Sequence, residues 1–259
     1  IDFVKANQDE PFFVYLPYSM PHIPLYVPDD VRDPDPKNAY INTIEHIDTE
    51  VGRLLDVLDE LKLTENTYVI YTTDNGPWLT FNHHGGSAGP LRNGKGTTFE
   101  GGQRVPCLMR GPGIPAGTVC EELTGTIDLL PTIAAITGEP LPAGKTIDGM
   151  DVSGLWMGTE EKSPREEFVH YTSRGDLEGI RRKNWKLLVK KPRAPRNQKN
   201  APPQAPKPPE ILLFDLSQDL GEMNNVAEAN PEIVETLQAR MTELDAEITE
   251  NARAPWVKQ

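Results

Sequence analysis

The sequence has few cysteines, no excess of basic residues and no long apolar run. Two cysteines among 259 residues are too few for a disulfide-stapled scaffold or for a zinc site built from cysteine. Acidic residues outnumber basic residues by 39 to 26, so a nucleic-acid partner is not expected. No apolar stretch approaches the roughly 20 residues of a membrane-spanning helix. The remaining composition, 37% hydrophobic and 25% charged, is typical of a globular protein.

The chain does not begin as a complete protein usually does. Ile1 is not an initiator methionine, and the residues after it do not form a signal peptide with a basic region followed by an apolar one. They have instead the character of a helix already under way before Pro11. We therefore expect further sequence upstream of Ile1.

Two short apolar runs separated by an amphipathic segment predict an α/β unit. Residues 12–16 (FFVYL) and 67–73 (TYVIYTT) have the continuous apolar character of strands buried on both faces. Between them, apolar residues recur at three- and four-residue steps over 39–61, which predicts a helix. A strand over 105–110 and a helix over 126–137 follow. This order predicts a mixed, largely parallel sheet flanked by helices.

After about residue 156 the pattern changes to that of a small α+β subdomain with an antiparallel sheet. We therefore divide the chain into residues 1–160, the α/β part, and residues 161–259. The predicted elements of the second part are three strands and a C-terminal helix, over 168–172, 179–189, 211–216 and 231–250. Residues 190–209 form a proline-rich basic insertion that cannot pack a core.

Asp74 and Asn75 directly follow the predicted strand 67–73. Ligand sites in α/β sheets collect at the carboxyl ends of strands. A carboxylate beside an amide oxygen suits a hard cation such as Ca²⁺ or Mg²⁺. Because Asn-Gly is also a common turn dipeptide, a plain turn at Asn75-Gly76 is the alternative.

Two cationic candidates lie in other loops. His22, fixed between prolines beyond the strand 12–16, is suited to donate to an anion or to carry a proton, although a lone loop histidine is often a surface residue. Lys95 lies between Gly94 and Gly96, where the backbone lets an anion approach, although a solvated lysine is the alternative. A divalent cation, a histidine and a lysine together suit an anionic substrate whose outer oxygens gain charge during reaction.

These segments resemble the sulfatase family of the alkaline-phosphatase-like superfamily, above all its arylsulfatase A-type members. The most specific part is the segment LRNGKGTTFEGG, residues 91–102, called here the glycine–lysine loop. The resemblance covers nearly the whole chain in order, apart from the insertion. The other matching segments are residues 18–24, 73–76, 110–113, 126–132, 147–149, 180–187 and 213–216.

The resemblance implies specific roles for the candidate residues. Asp74 and Asn75 match two calcium ligands, and His22 and Lys95 match the pair that contacts the sulfate group, with His22 also placed to assist proton transfer. For His84 it suggests contact with substrate, with a structural role in its loop as the alternative. The implied substrate is a sulfated small molecule or glycan, and the implied location is the periplasm or the outside of the cell.

The family's nucleophile is missing from its expected context. Formylglycine arises in this family from Cys or Ser in a Cys/Ser-x-Pro-x-Arg motif, and neither Cys107 nor Cys120 has that context. We expect both to be buried structural thiols, with a bridge between them left open, and we expect the formylglycine upstream of Ile1. The chain alone is therefore expected to be inactive. Two further hypotheses are a phosphate or phosphonate hydrolase of the same superfamily and a non-catalytic relic that binds sulfated glycans.

Overall fold

The structure is a computed structural model that describes residues 1–192 and 208–253. Most of the predicted insertion 190–209 lies outside the described residues. Within the described ranges, no helix is long and apolar enough to cross a membrane. The helices are α1 (Asp2–Ala6), α2 (Ala39–Glu60), α3 (Glu100–Gln103), α4 (Leu129–Thr137), α5 (Ser153–Trp156) and α6 (Pro231–Asn251). The strands are β1 (Val69–Thr72), β2 (Cys107–Arg110), β3 (Glu167–Tyr171), β4 (Leu177–Arg182), β5 (Trp185–Lys190) and β6 (Glu210–Asp215).

The first part of the chain is built on α2 and on the pair of β1 and β2. The apolar stripe of α2 buries Val57 and Leu58 against Val4 of α1, as the three- and four-residue spacing predicts. β1 pairs antiparallel with β2, with Val69 opposite Arg110. This pair positions the site, because the chain leaves β1 directly into the predicted metal ligands.

The predicted strand over 12–16 is wrong. This segment has no regular secondary structure, and Phe13 and Tyr15 are 73% and 79% exposed. A strand buried on both faces needs a partner for its backbone groups, and within the described residues 12–16 pairs with none. For the same reason the expected parallel pairing does not appear there, and both sheets are antiparallel.

The second part is a four-stranded antiparallel sheet in the order β3-β4-β5-β6, with α6 across one face. The predicted strand 179–189 is two strands, because the chain turns at Lys183, where φ is +54°. Side chains alternate between the two faces of a strand. Ile180, Leu187 and Leu213 therefore pack against Leu237 of α6 and its neighbours.

The opposite face of this sheet lies against the glycine–lysine loop. Leu188 and Phe214 form an apolar cluster with Phe99 of that loop. Because Lys186 is two residues from Leu188 on β5, its side chain also lies on this face. The second part of the chain therefore forms one wall of the loop that carries Lys95.

Asp128 and Arg165 join the two parts. Both are buried, and Arg165 donates from Nε to Asp128 Oδ2 at 2.8 Å and from Nη2 to the Asp148 carbonyl at 2.8 Å. Burial alone raises the pKa of Asp128, but the hydrogen bonds from Arg165 and from the Met150 and Gly125 amides outweigh it and hold the pKa below its usual value. The matching segments 126–132 and 147–149 are thus held by one buried ion pair.

Candidate active site

The predicted metal ligands and the glycine–lysine loop meet where β1 ends. Asp74 and Asn75 lie just beyond β1, separated from it by Thr73, and the amide of Gly76 donates to the carbonyl of Gly102 at 3.2 Å. One residue further on, the amide of Lys95 donates to the Pro77 carbonyl at 2.9 Å. Two segments that are distant in sequence are therefore joined through their main chains at a single strand end.

Only glycine fits at this junction. A Cβ atom at Gly76 would overlap the carbonyl oxygen of Gly101, and one at Gly94 would overlap that of Pro77. The loop also turns through left-handed conformations at Asn93 (φ +58°) and Gly96 (φ +82°), on either side of Lys95. The glycines of the motif thus let the two backbones approach until they hydrogen-bond.

Trp78 brings His22 and Lys95 together. The Lys95 ammonium lies over the indole ring at 5.0 Å from its centroid, and the His22 ring lies at 5.6 Å, tilted by 50°. Phe81 packs edge-on against the same indole at 4.6 Å. Trp78 was not predicted from the sequence, where its only signal is a large aromatic side chain three residues after the predicted metal ligands.

The hydrogen bond of His22 defines which of its nitrogens is available. Its Nδ1 is 2.8 Å from the carbonyl oxygen of Ile23. Because a carbonyl oxygen only accepts hydrogen bonds, Nδ1 carries the proton, and in the neutral ring Nε2 is the basic nitrogen. His22 is exposed, so its ring is open to a ligand.

His84 makes its hydrogen bond away from the Trp78 indole. One of its ring nitrogens, Nε2, lies 2.7 Å from the carbonyl of Pro36 and ties its loop to the segment before α2. The neighbouring His83 lines an open depression of about 620 Å³ together with Tyr40 and Asn82. The contact with Pro36 favours the structural role of His84 that was left open from the sequence.

The side-chain oxygens of Asp74 and Asn75 suit a hard cation, but they supply only a small part of its coordination shell. Asp74 is exposed, and its Oδ1 accepts a long hydrogen bond from the Thr73 hydroxyl at 3.5 Å. Calcium takes about six to eight oxygen ligands. The described residues hold no cluster of three or more His, Cys, Asp or Glu arranged for a metal ion. The two oxygens fit calcium as a partial ligand set.

The two cysteines are neither buried nor bonded to each other. Cys107 and Cys120 are both free and exposed, so the expectation of buried thiols is wrong. Cys107 begins β2 and Cys120 lies in the loop beyond that strand.

Comparisons with known proteins show the family to which the chain belongs. A family model described as Sulfatase matches residues 1–139. The chain is 38% identical to human arylsulfatase A, covering 94% of this chain and 51% of that protein. It is 34% identical to mouse steryl-sulfatase, covering 92% of this chain and 41% of that protein. A solved structure from work on the metabolism of multiple glycosaminoglycans by Bacteroides thetaiotaomicron superposes with a TM-score of 0.80 at 26% identity, covering 95% of this chain and 52% of that one.

The mixed α/β fold and its superposition on that solved structure place the chain in the alkaline-phosphatase-like superfamily, which confirms the predicted fold class. Within it, this chain belongs to the sulfatase family. It spans about half the length of the human and bovine arylsulfatase A proteins that it matches.

Proposed function

We propose that this chain forms one side of the active site of a sulfuric ester hydrolase, an arylsulfatase-like enzyme that cleaves sulfate esters with a bound calcium ion. The observation that carries the proposal is the meeting of His22 and Lys95 on one indole ring, directly after Asp74 and Asn75. Membership of the sulfatase family supports the sulfate ester as substrate.

Lys95 and His22 act on the sulfate group. The Lys95 ammonium binds the non-bridging oxygens, which gain charge as the ester bond breaks, and the glycines beside it leave room for the anion. Among the described residues, no carboxylate forms an ion pair with Lys95, so its charge is available to a ligand. Removal of one such preorganised donor typically costs about 100- to 1,000-fold in kcat.

His22 moves the proton. With Nδ1 donating to Ile23, Nε2 is the atom that gives a proton to the leaving oxygen and regains one from water. The fixed hydrogen bond at Nδ1 orients the ring, so that the same nitrogen faces the ligand in both steps. Glu or Asp is not required for this orientation, since the Ile23 carbonyl supplies it.

Asp74 and Asn75 are the residues of this chain that would hold calcium. When bound, the ion supplies positive charge opposite the sulfate oxygens. The remaining ligands and the formylglycine nucleophile are assigned to the rest of the protein, since neither cysteine here lies in the formylglycine motif. Residues 1–160 are then part of the catalytic domain, and residues 161–259 the subdomain that supports it.

The substrate is a sulfated small molecule or glycan. The relatives' names refer to aryl, steryl and amino-sugar sulfates, and their diversity leaves the alcohol part of the ester to be found by assay. Trp78 and Phe81 offer that part of the ester an exposed aromatic wall beside Lys95. We assign no direct role to His84, and we propose a periplasmic or secreted location, as in the family.

The test uses the complete protein that contains this chain. We expect release of sulfate from para-nitrophenyl sulfate or from a panel of sulfated sugars, and a fall of about 100- to 1,000-fold in kcat for Lys95→Ala. The exposed Lys145→Ala is the matched control and should retain the wild-type rate.

Para-nitrophenyl phosphate, which has the same leaving group, separates the alternatives. Faster turnover of the phosphate than of any sulfate would contradict the proposal in favour of a phosphohydrolase. Binding of sulfated glycans without turnover of either ester would favour the non-catalytic relic.

A further inference from the structure

A buried ionic cluster lies beneath the glycine–lysine loop and has no part in the proposed chemistry. Lys186 of β5 has no exposed surface, and its ammonium lies 2.9 Å from Glu100 Oε1 and 3.0 Å from Glu222 Oε1. Arg181 of β4 adds a contact to Glu100 Oε2 at 3.2 Å. We call Lys186, Glu100, Glu222 and Arg181 the buried cluster.

The buried cluster holds the glycine–lysine loop at both ends. Glu222 Oε2 accepts a hydrogen bond from the amide of Glu100 at 2.7 Å, and its main-chain carbonyl accepts one from Arg92 Nη1 at 2.5 Å. The Arg92 guanidinium also stacks over the Phe99 ring at 4.2 Å. Glu222 itself has φ +52°, a left-handed conformation that these contacts maintain.

The buried cluster contributes little net stability to the core, so we attribute its role to the geometry that it fixes. Burying charges incurs a desolvation penalty that their attraction offsets only with good geometry and further hydrogen bonds. Burial raises the pKa of Glu222, and Lys186 opposes that shift. An apolar core of equal volume is often as stable, but it would not fix the Glu100 amide and the Arg92 side chain by directional bonds.

We propose that Lys186 is a positioning residue for Lys95: through Glu100 and Glu222 it fixes the backbone on both sides of Lys95 and so sets the ammonium over Trp78. Lys186 contacts no substrate. One face of the sheet β3-β4-β5-β6 is covered by α6. The other face contacts the glycine–lysine loop and fixes its conformation. The effect of Lys186 on turnover rests on the proposed function, whereas its effect on the loop does not.

The experiment compares Lys186→Met and the isosteric Glu222→Gln with Lys183→Met, an exposed lysine of the same hairpin. In the complete protein, hydrogen exchange of residues 92–102 is expected to rise at least tenfold in the first two variants and to stay unchanged in the control. Protection of the helix 231–251 is expected to persist in all three. The kcat for the sulfate ester should fall about 10- to 100-fold, because a displacement of about 1 Å at a catalytic group costs up to about a hundredfold.

A double-mutant cycle with Lys95→Ala separates positioning from general destabilisation. If Lys186 acts through Lys95, the double variant is no slower than Lys95→Ala alone, whereas independent effects multiply. Multiplying effects, or exchange that rises equally in 92–102 and 231–251, would overturn the proposal. If Lys186→Met does not fold, Glu222→Gln decides by the same criteria. A wild-type protein that hydrolyses no sulfate ester would refute the proposed function and leave the exchange measurement to decide the anchoring.

Discussion

Lys95 and Lys186 have the same side chain and opposite environments. Lys95 is half-buried over Trp78 and has no carboxylate partner among the described residues, so its charge is available to an anion. Lys186 has no exposed surface, and its ammonium forms ion pairs with Glu100 and Glu222. The flanking glycines predicted Lys95 from the sequence. Lys186 was missed because a lysine between Trp185 and Leu187 in a strand has the pattern of a solvent-facing residue.

His170 makes the stability of the fold sensitive to acid. It is buried on β3, and within the part of the chain that the structure describes neither ring nitrogen has a hydrogen-bond partner. Burial, with smaller effects of Lys186 and Arg181, lowers its pKa to about 3. In the unfolded chain its pKa is near 6.5. Below pH 6.5 the unfolded state therefore binds a proton that the folded state does not, and the free energy of unfolding falls as the pH falls from about 6.5 towards 3.

We expect His170→Leu to remove this part of the acid sensitivity, which amounts to about 1.4 kcal/mol per pH unit for one proton. Urea unfolding of the protein at pH 7 and pH 5 measures it, with the exposed His83→Gln as the control. Equal losses of stability in His170→Leu and the wild type over this interval would contradict the assignment.

At the scale of elements, the sequence pattern predicted the long helices and four of the six proposed strands well. The helix predicted over 39–61 is Ala39–Glu60, and the one predicted over 231–250 is Pro231–Asn251, because an amphipathic stripe of six turns is a strong signal. The run 12–16 was predicted to be a strand because its residues are apolar. Apolar character indicates that a segment tends to be buried, but it does not show which segment would bury it. The contacts within the glycine–lysine loop could not be predicted from the sequence, because they depend on how closely two stretches of main chain approach each other.

The glycine–lysine loop should not tolerate alanine at Gly101. A Cβ atom there would overlap the carbonyl oxygens of Arg92 and Asn93, while the Gly101 amide donates to Arg92 at 2.9 Å. We expect Gly101→Ala to lower the free energy of unfolding by about 1–3 kcal/mol through overpacking and to reduce turnover with it. Gly52→Ala in α2, where no atom lies within 4 Å of the new Cβ, is the control. It should be neutral or stabilising by up to about 1 kcal/mol, and a similar loss in both variants would contradict the close-approach argument.

For the molecule as a whole, the run 12–16 exposes large apolar side chains. We infer that another part of the polypeptide covers them. The curated relatives are about twice as long as the matched region, and exposed apolar surface of this kind usually marks an interface. We expect the remainder of the polypeptide to cover Phe13. Phe13→Asp should then leave the melting temperature of the 259-residue chain unchanged and lower that of the complete protein.

Val119→Asp is the control for this comparison, because Val119 is 86% exposed and lies outside the run. It should change the melting temperature in neither protein. An unchanged melting temperature for Phe13→Asp in the complete protein would show that Phe13 stays exposed there.

The hydrogen bond from Glu100 to Glu222 also affects when the loop can take its final shape during synthesis of the chain. The two residues are 122 positions apart, so a ribosome adding about 5–20 residues per second makes Glu222 about 6–24 s after Glu100. Throughout that interval the newly made loop lacks the carboxylate that accepts from its backbone. For the first 86 of those residues it also lacks the lysine that neutralises its acid. The glycine–lysine loop therefore gains its full support only once Glu222 has been made, and a chain that stops before Glu222 contains every glycine of the motif without the contacts that shape it.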